Sequence, residues 1–245
     1  MNTVVQENLF PLGPLLEAKF VKRENRFRAQ VALQGEVVPV HVPNSGRMEE
    51  LLTPGVAVWV SPASGAQRKT AYTLLLVRQG TRLICLNAHL ANDLIAFWLA
   101  QGILPGFAEA AEIEREKVYG DSRIDFRLKR QNQPCYVEVK SVNLLEGSTA
   151  RFPDAPTKRG SKHLSQLIRC KEAGMDSAVI FLVMGNAARD FAVNWKRDPD
   201  FGEHLKLAYL AGVEVYVYTC EIHLEGIVYT GTIPLQEEQL WKSMR

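Results

Sequence analysis

Ser122-Arg123-Ile124-Asp125-Phe126 and, thirteen residues beyond its aspartate, Tyr136-Val137-Glu138-Val139-Lys140-Ser141 are the two stretches that decide the reading of this chain. Successive side chains of a β-strand point to opposite faces. Glu138 and Lys140 therefore share one face while Val137 and Val139 turn into a core. The turn-like Lys129-Arg130-Gln131-Asn132-Gln133-Pro134 lies between the two stretches. A hairpin there brings Asp125 alongside the other two charges. Two carboxylates and an ammonium on one patch suit a hard divalent cation, Mg2+ or Mn2+, together with a phosphate.

The plainer reading of Glu-x-Lys is a solvated ion-pair face, which needs no function. Asp125 speaks against it, because an idle carboxylate is less expected between Ile124 and Phe126. The arrangement Asp…Glu-x-Lys is also the signature of metal-dependent nucleases written PD-(D/E)XK. On that reading Asp125, Glu138 and Lys140 are catalytic, with the carboxylates on the cation and Lys140 stabilising charge on the phosphate. An upstream acid often completes such sites. Glu112, Glu114 and Glu116 lie two apart on an expected strand; any one could serve, and a solvated acidic face suits at least two of them.

The surrounding pattern divides the 245 residues in two. Residues 1–87 read as an all-β domain. Short runs at 15–21, 27–33, 37–42, 56–61, 72–79 and 81–87 are separated by turn formers such as Gln34-Gly35, Pro54-Gly55 and Gln79-Gly80. Their number and length predict a small barrel, with the OB-fold as leading candidate. Residues 88–245 alternate helical and strand patterns. Helices are expected at 89–101, 162–173 and 199–211, and strands at 112–119, 122–128, 135–142, 178–184 and 213–220. That order predicts a mixed sheet with helices on both faces, an α+β or α/β two-domain chain overall.

Ten Lys and Arg against six Asp and Glu make the first part basic, whereas the second holds nineteen against twenty-one. A polyanion for the first and a cation for the second is the corresponding weak expectation. The four cysteines lack Cys-x-x-Cys spacing, which points to buried free thiols in a reducing cytoplasm. The first ten residues carry no secretory pattern, and no apolar run reaches membrane-spanning length, so no membrane partner is expected.

Two further polar groups stand out. The segment 152–163 joins the Glu-x-Lys strand to a helix and carries Lys158, Arg159, Lys162 and His163. These could grip phosphate or, for His163, move a proton; a solvated helix entrance is the plain alternative. In the barrel, Arg68 and Lys69 with Tyr72 combine charge and a stacking surface, Arg26-Phe27-Arg28 offers the same pairing, and Asn44 lies in a turn that could also touch a ligand.

Several of these blocks together resemble the sugar fermentation stimulation protein A (SfsA) family. They include Pro43-Asn44-Ser45-Gly46, Arg68-Lys69 with Tyr72, Tyr119-Gly120, Ser122 to Phe126, Glu138 to Val142, Phe152-Pro153-Asp154-Ala155, and Thr157 with Arg159-Gly160 and Lys162-His163-Leu164. The resemblance implies an OB-like domain joined to a PD-(D/E)XK restriction-endonuclease-like domain, and binding of nucleic acid, DNA rather than RNA. It sets Asp125, Glu138 and Lys140 on the nuclease motif and Glu116 on an acidic position of the family as a further metal ligand. A nonspecific DNA-binding or regulatory protein linked to sugar metabolism, which keeps the nuclease scaffold without turnover, is the competing expectation.

Overall fold

The computed structural model describes residues 8–44, 46, 48–63 and 69–241. Chain punctuation shapes the first of two units, which runs up to Leu90 and takes in Glu221–Val228. Its strands are β2 (Leu16–Asn25), β3 (Arg28–Leu33), β4 (Glu36–His41), β5 (Ala57–Pro62), β6 (Tyr72–Gln79) and β7 (Arg82–Cys85), with a short β1 (Leu9–Pro11) paired to Gly226–Val228. Gln34 and Gly35 both take left-handed backbone, φ 51° and 91°, the geometry of a tight two-residue hairpin turn. The order β4-β3-β2-β5-β6 closes through a parallel β4–β6 pairing at Val40 and His41. This closed five-stranded barrel is the expected OB architecture. Phe20, Val31, Val40, Val58, Leu74 and Val77 fill it.

The second unit, Ala91–Cys220 and Tyr229 onward, holds nearly all of α1 (Leu90–Ala100), then β8 (Ala111–Tyr119), β9 (Ser122–Arg130), β10 (Gln133–Val142), β11 (Leu144–Glu146), β12 (Thr149–Phe152), α2 (Lys158–Glu172), β13 (Asp176–Val183), β14 (Asp190–Val193) and α3 (Pro199–Leu210), the greater part of β15 (Glu214–Ile222) and of β16 (Gly226–Thr232), and α4 (Glu237–Leu240). Its large sheet runs β16-β15-β13-β10-β9-β8. Strands β10, β13 and β15 are mutually parallel, and β8 and β9 antiparallel, so the sheet is mixed. The continuous apolar run of β13 is buried from Ser177 to Val183, as a central parallel strand requires.

Strand phase then distributes the helices. Val215 and Val217 of β15 join Val179 and Phe181 of β13 in a core with Leu164, Leu167, Phe201 and Leu205 of α2 and α3. Tyr216 and Tyr218 alternate with them. Tyr216 packs on Phe107, and Tyr218 meets Tyr229, which in turn packs on Trp98 of α1. Phe107, Trp98 and Tyr218 are fully buried there, and full burial of a large apolar side chain contributes roughly 1.5–3 kcal/mol.

Helix α2 starts four residues earlier than expected. Thr157 caps it by accepting from Gly160 N at 3.0 Å, and the backbone N–H of Thr157 donates to Asp198, the N-cap of α3, at 2.7 Å. All four basic residues of that region, read as a linking segment in the sequence, are thus helical. The pattern also missed β1, β11, β12, β14, β16 and α4. The four cysteines are free and buried. Among the described residues no helix is long and apolar enough to cross a membrane.

Candidate metal centre

Strands β9 and β10 pair in antiparallel register from Gln133↔Arg130 to Val137↔Phe126. The next pair in that register would be Glu138 and Asp125, and there the side chain of Asp125 takes over from the ladder. Its Oδ2 accepts from the backbone N–H of Val139 at 2.8 Å. Its Oδ1 accepts from Asn92 Nδ2 of α1, also at 2.8 Å. Beyond Val137, β10 continues beside β13 alone. The hairpin ladder thus ends one residue short of Asp125 and Glu138.

Glu138 is 2% exposed, so its strand face is covered, not solvated as the plainer reading of Glu-x-Lys had it. Its Oε1 accepts from Lys140 Nζ at 2.6 Å and contacts His163 Nδ1 of α2. Its Oε2 is buried and has no hydrogen-bond partner. Burial alone would raise its pKa, but the Lys140 ammonium and the His163 hydrogen bond outweigh burial and hold it below the usual carboxylate range. Asp125 goes the other way. Burial, and then the charge of Glu138, raise its pKa against the bonds from Val139 and Asn92. Two neighbouring carboxylates in one buried site are mutually costly until a cation joins them.

Glu116 is not part of this group. Its backbone is left-handed, φ 54°, and its side chain pairs with Arg123 at 3.2 Å, largely in solvent. The other two upstream acids pair likewise, Glu114 with Arg127 at 2.8 Å and Glu112 with Lys129 at 3.2 Å. The acidic face of β8 is therefore spent on the basic face of β9, a charged dressing suited to a strand at the sheet edge. Asp125 is the one acid in that row of bases and turns to Asn92 instead. Among the described residues no three His, Cys, Asp or Glu side chains stand close enough to share a metal ion. The expectation of a third ligand at Glu116 is corrected accordingly.

Helix α2 sorts its basic residues by phase. His163 faces inward, 4% exposed, and its Nε2 lies 3.4 Å from Arg159 Nε. A surface role for His163 in gripping nucleic acid does not fit this burial. Arg159 and Lys158 are exposed. Lys162 turns to the β8–β9 hairpin, where Nζ meets Asp121 O at 2.9 Å and Asp121 Oδ2 at 3.0 Å. Gln166 Nε2 donates to Asp121 Oδ1 at 2.6 Å. Gly120 is needed beneath this lock. Its φ is +59°, and a Cβ there would stand 2.8 Å from Gln166 Oε1. Lys162 thus secures the hairpin tip against α2.

In the barrel, Asn44 Oδ1 accepts from Gly46 N at 2.8 Å, so its side chain makes the turn. Tyr72 is half-buried against the barrel core and Lys69 is exposed. Arg68 lies outside the described residues. Among the described residues of this unit the exposed aromatic is Phe27, 51% exposed at the β2–β3 turn. The Arg23 guanidinium donates to the carbonyls of Asn25, Asn44 and Gly46 at 3.1, 2.9 and 2.7 Å, which holds that turn in place. The residues that sequence reasoning left without a role are Asn92, inside the apolar periodicity of α1, and Arg23. For His163, the signal lay in the helix start: once α2 begins at Lys158, His163 and Leu167 share its inner face.

The family model described as the SfsA N-terminal OB domain matches residues 21–86, and the one described as the sugar fermentation stimulation protein RE domain matches residues 89–226. The chain belongs to the SfsA family. A sugar fermentation stimulation protein homolog of Desulforamulus reducens is 43% identical over 92% of this chain and 94% of its own. A homolog from Caldanaerobacter subterraneus subsp. tengcongensis is 41% identical over 86% of this chain and 92% of its own. Among solved structures, SfsA of Pyrococcus furiosus, determined in complex with Ca2+, superposes with a TM-score of 0.87 at 29% identity, covering 93% of this chain and 98% of that one.

Proposed function

We propose that this SfsA-family protein is a DNA-binding phosphodiesterase of the PD-(D/E)XK nuclease type, dependent on Mg2+ or Mn2+. The observation that carries the reading is the buried, partnerless Oε2 of Glu138 beside Asp125, a carboxylate already oriented on both oxygens. A buried carboxylate oxygen without a donor is costly, and an all-oxygen donor set of two acids fits a hard divalent cation. The Ca2+ in the Pyrococcus furiosus relative accords with this. When bound, such a cation supplies Lewis-acid polarisation of phosphate and water. Asp125 and Glu138 hold it. Asn92 and the Val139 N–H keep Asp125 aimed, and Lys140 offers an ammonium to the charge that builds on the phosphate. The exposure of Arg159 on α2 supports a contact of its guanidinium with a flanking phosphate.

The test is incubation with labelled single- and double-stranded DNA and RNA, with Mg2+, with Mn2+ and with chelator. Cleavage that requires the cation and prefers DNA is the expected result. Salt-sensitive DNA binding without cleavage under any of these conditions would instead favour a non-cleaving regulatory protein. One observation favours that second reading: Lys140 is engaged by Glu138 at 2.6 Å and, among the described residues, no third acid joins the pair.

The barrel contributes grip through its β2–β3 turn. Phe27 stands exposed between Arg26 and Arg28 on a turn pinned by Arg23, the combination that lets a base stack and a phosphate pair. Phe27→Ala in the full chain is expected to weaken single-stranded DNA binding by about fivefold to a hundredfold, with the salt dependence unchanged. Arg26→Ala should lower the slope of log K against log salt by about one contact. Fluorescence anisotropy across a salt series measures both. Wild-type affinity in both variants would remove this turn from the interface.

A further inference from the structure

The fold treats the two oxygens of Glu138 differently. Oε1 has two neighbours, Lys140 Nζ at 2.6 Å and His163 Nδ1, while Oε2 is buried with none. An ionised carboxylate can only accept and a guanidinium can only donate. His163 stands between one of each, with Glu138 at Nδ1 and Arg159 Nε 3.4 Å from Nε2. The hydrogen-bond network therefore sets a proton on Nδ1, facing Glu138, and an acceptor at Nε2, facing Arg159. Its Nε2 faces a donor and the residue is buried, so the ring has neither a proton to give at Nε2 nor an open edge for substrate.

We propose that His163 is a positioning residue: it holds Oε1 of Glu138 so that Oε2 is the oxygen turned to the cation, and so that Lys140 can leave Glu138 for the substrate phosphate. This deepens the cation-dependent reading above and rests on it. With Lys140 as sole donor, every move of the ammonium toward substrate would strip a buried carboxylate oxygen and incur the desolvation cost of a bare acceptor. With His163 in place, Oε1 keeps a donor throughout. Arg159, one turn earlier on α2, fixes the other ring nitrogen and with it the tautomer. The same residue is exposed, so the relay runs from the surface of α2 to the buried acid.

The test uses the full chain and Mn2+ alone. Mn2+ affinity by calorimetry and the Mn2+-induced rise in Tm are compared for wild type, His163→Ala and His163→Asn. Asparagine offers an amide N–H near the place of Nδ1–H but has no second ring nitrogen and cannot act in proton transfer. Loss of an outer partner of a metal-binding side chain typically weakens metal binding by 10–100-fold, so His163→Ala should bind Mn2+ about 10–100-fold more weakly and His163→Asn within about threefold of wild type. Melts without Mn2+ establish that each variant is folded. If His163→Ala does not fold, His163→Asn decides: a folded asparagine variant that binds Mn2+ more than about tenfold more weakly overturns the proposal. Wild-type affinity in His163→Ala overturns it equally. A wild-type protein that binds no Mn2+ overturns the cation-dependent reading itself, and the role of His163 falls with it.

Discussion

Lys140→Ala is expected to slow cation-dependent cleavage by about 10²–10³-fold while Mn2+ and DNA binding stay within about threefold of wild type. Asp125→Asn, by contrast, is expected to abolish cleavage and the Mn2+-induced rise in Tm together. The difference follows from what each side chain can supply. An ammonium aimed at a phosphate is worth most where charge develops, in the transition state, so its loss falls on turnover. Glu138 does not collapse in that variant, because Oε1 retains His163. Asp125 is different. Both of its oxygens are oriented by chain donors, Asn92 and the Val139 N–H, and its pKa is raised by burial and by the charge of Glu138. On the cation-dependent reading proposed above, a bound cation relieves that cost, and binding then stabilises the fold by mass action. An amide at this position presents one oxygen in place of two and carries no charge. Single-turnover cleavage, anisotropy and thermal melts with and without Mn2+ measure the three quantities. A Lys140→Ala protein that cleaves at the wild-type rate would leave the ammonium no part in the chemistry, and an unchanged Mn2+ shift in Asp125→Asn would move the cation elsewhere.

Arg130→Met is expected to cost about 2–4 kcal/mol of stability at neutral pH, the lower part of the range for breaking a buried pair because its partners are partly exposed. That is a fall in Tm of roughly 5–15 °C. Arg130 ties three strands and a loop together. It pairs with Glu214 of β15 through both terminal nitrogens, one at 2.8 Å, with Asp176 of β13 at 3.3 Å and with the Gly106 carbonyl at 3.3 Å, and it stacks 5.6 Å over Phe107. The Tyr216 hydroxyl completes the group on Glu214. It also explains Gly106, where a Cβ would fall 2.3 Å from that hydroxyl.

The acid limb of the stability curve carries the sign of this network. The Arg130 bond, set against burial, lowers the pKa of Glu214; burial raises that of Asp176, but Lys171 and Arg130 bring it below its ordinary value. Carboxylates with depressed folded pKa values stabilise the fold above their unfolded values, near pH 4, and lose that contribution as pH falls through the folded ones. The wild type should therefore lose stability below about pH 4.5, and Arg130→Met should lose less over the same interval. Denaturant melts from pH 3 to 7 decide the matter: an unchanged midpoint and acid limb in the variant would show the cluster to be dispensable.

Several features are legible in the sequence. The barrel strands are punctuated by turn formers whose backbone demands are local, as at Gln34-Gly35. The apolar run of β13 announces a strand buried on both faces. The phase of β10 places Glu138 and Lys140 on one side, and the side-chain contact between them follows. Motif content was equally legible, because blocks such as Phe152-Pro153-Asp154-Ala155 with Arg159-Gly160 and Lys162-His163-Leu164 carry the family resemblance without reference to packing.

The rest required partners distant in sequence. Alternation placed Glu116 on an acidic face, but that face is consumed by Arg123, Arg127 and Lys129 across the strand. The short β11, β12 and β14 have too few residues to show a period, and each exists only because its neighbours supply the ladder. Lys162 and His163 are adjacent in sequence yet serve different faces of α2, and one residue of helical phase decides between them. By itself the sequence determined the strand phases, the two-part architecture and which acids and bases could meet, because those follow from local backbone geometry and side-chain type. Tertiary structure alone decided that Glu138 is buried, that Asn92 and His163 are the partners of the two carboxylates, and that Glu138 Oε2 has no donor. Burial and hydrogen-bond satisfaction are properties of what packs against a residue from elsewhere in the chain.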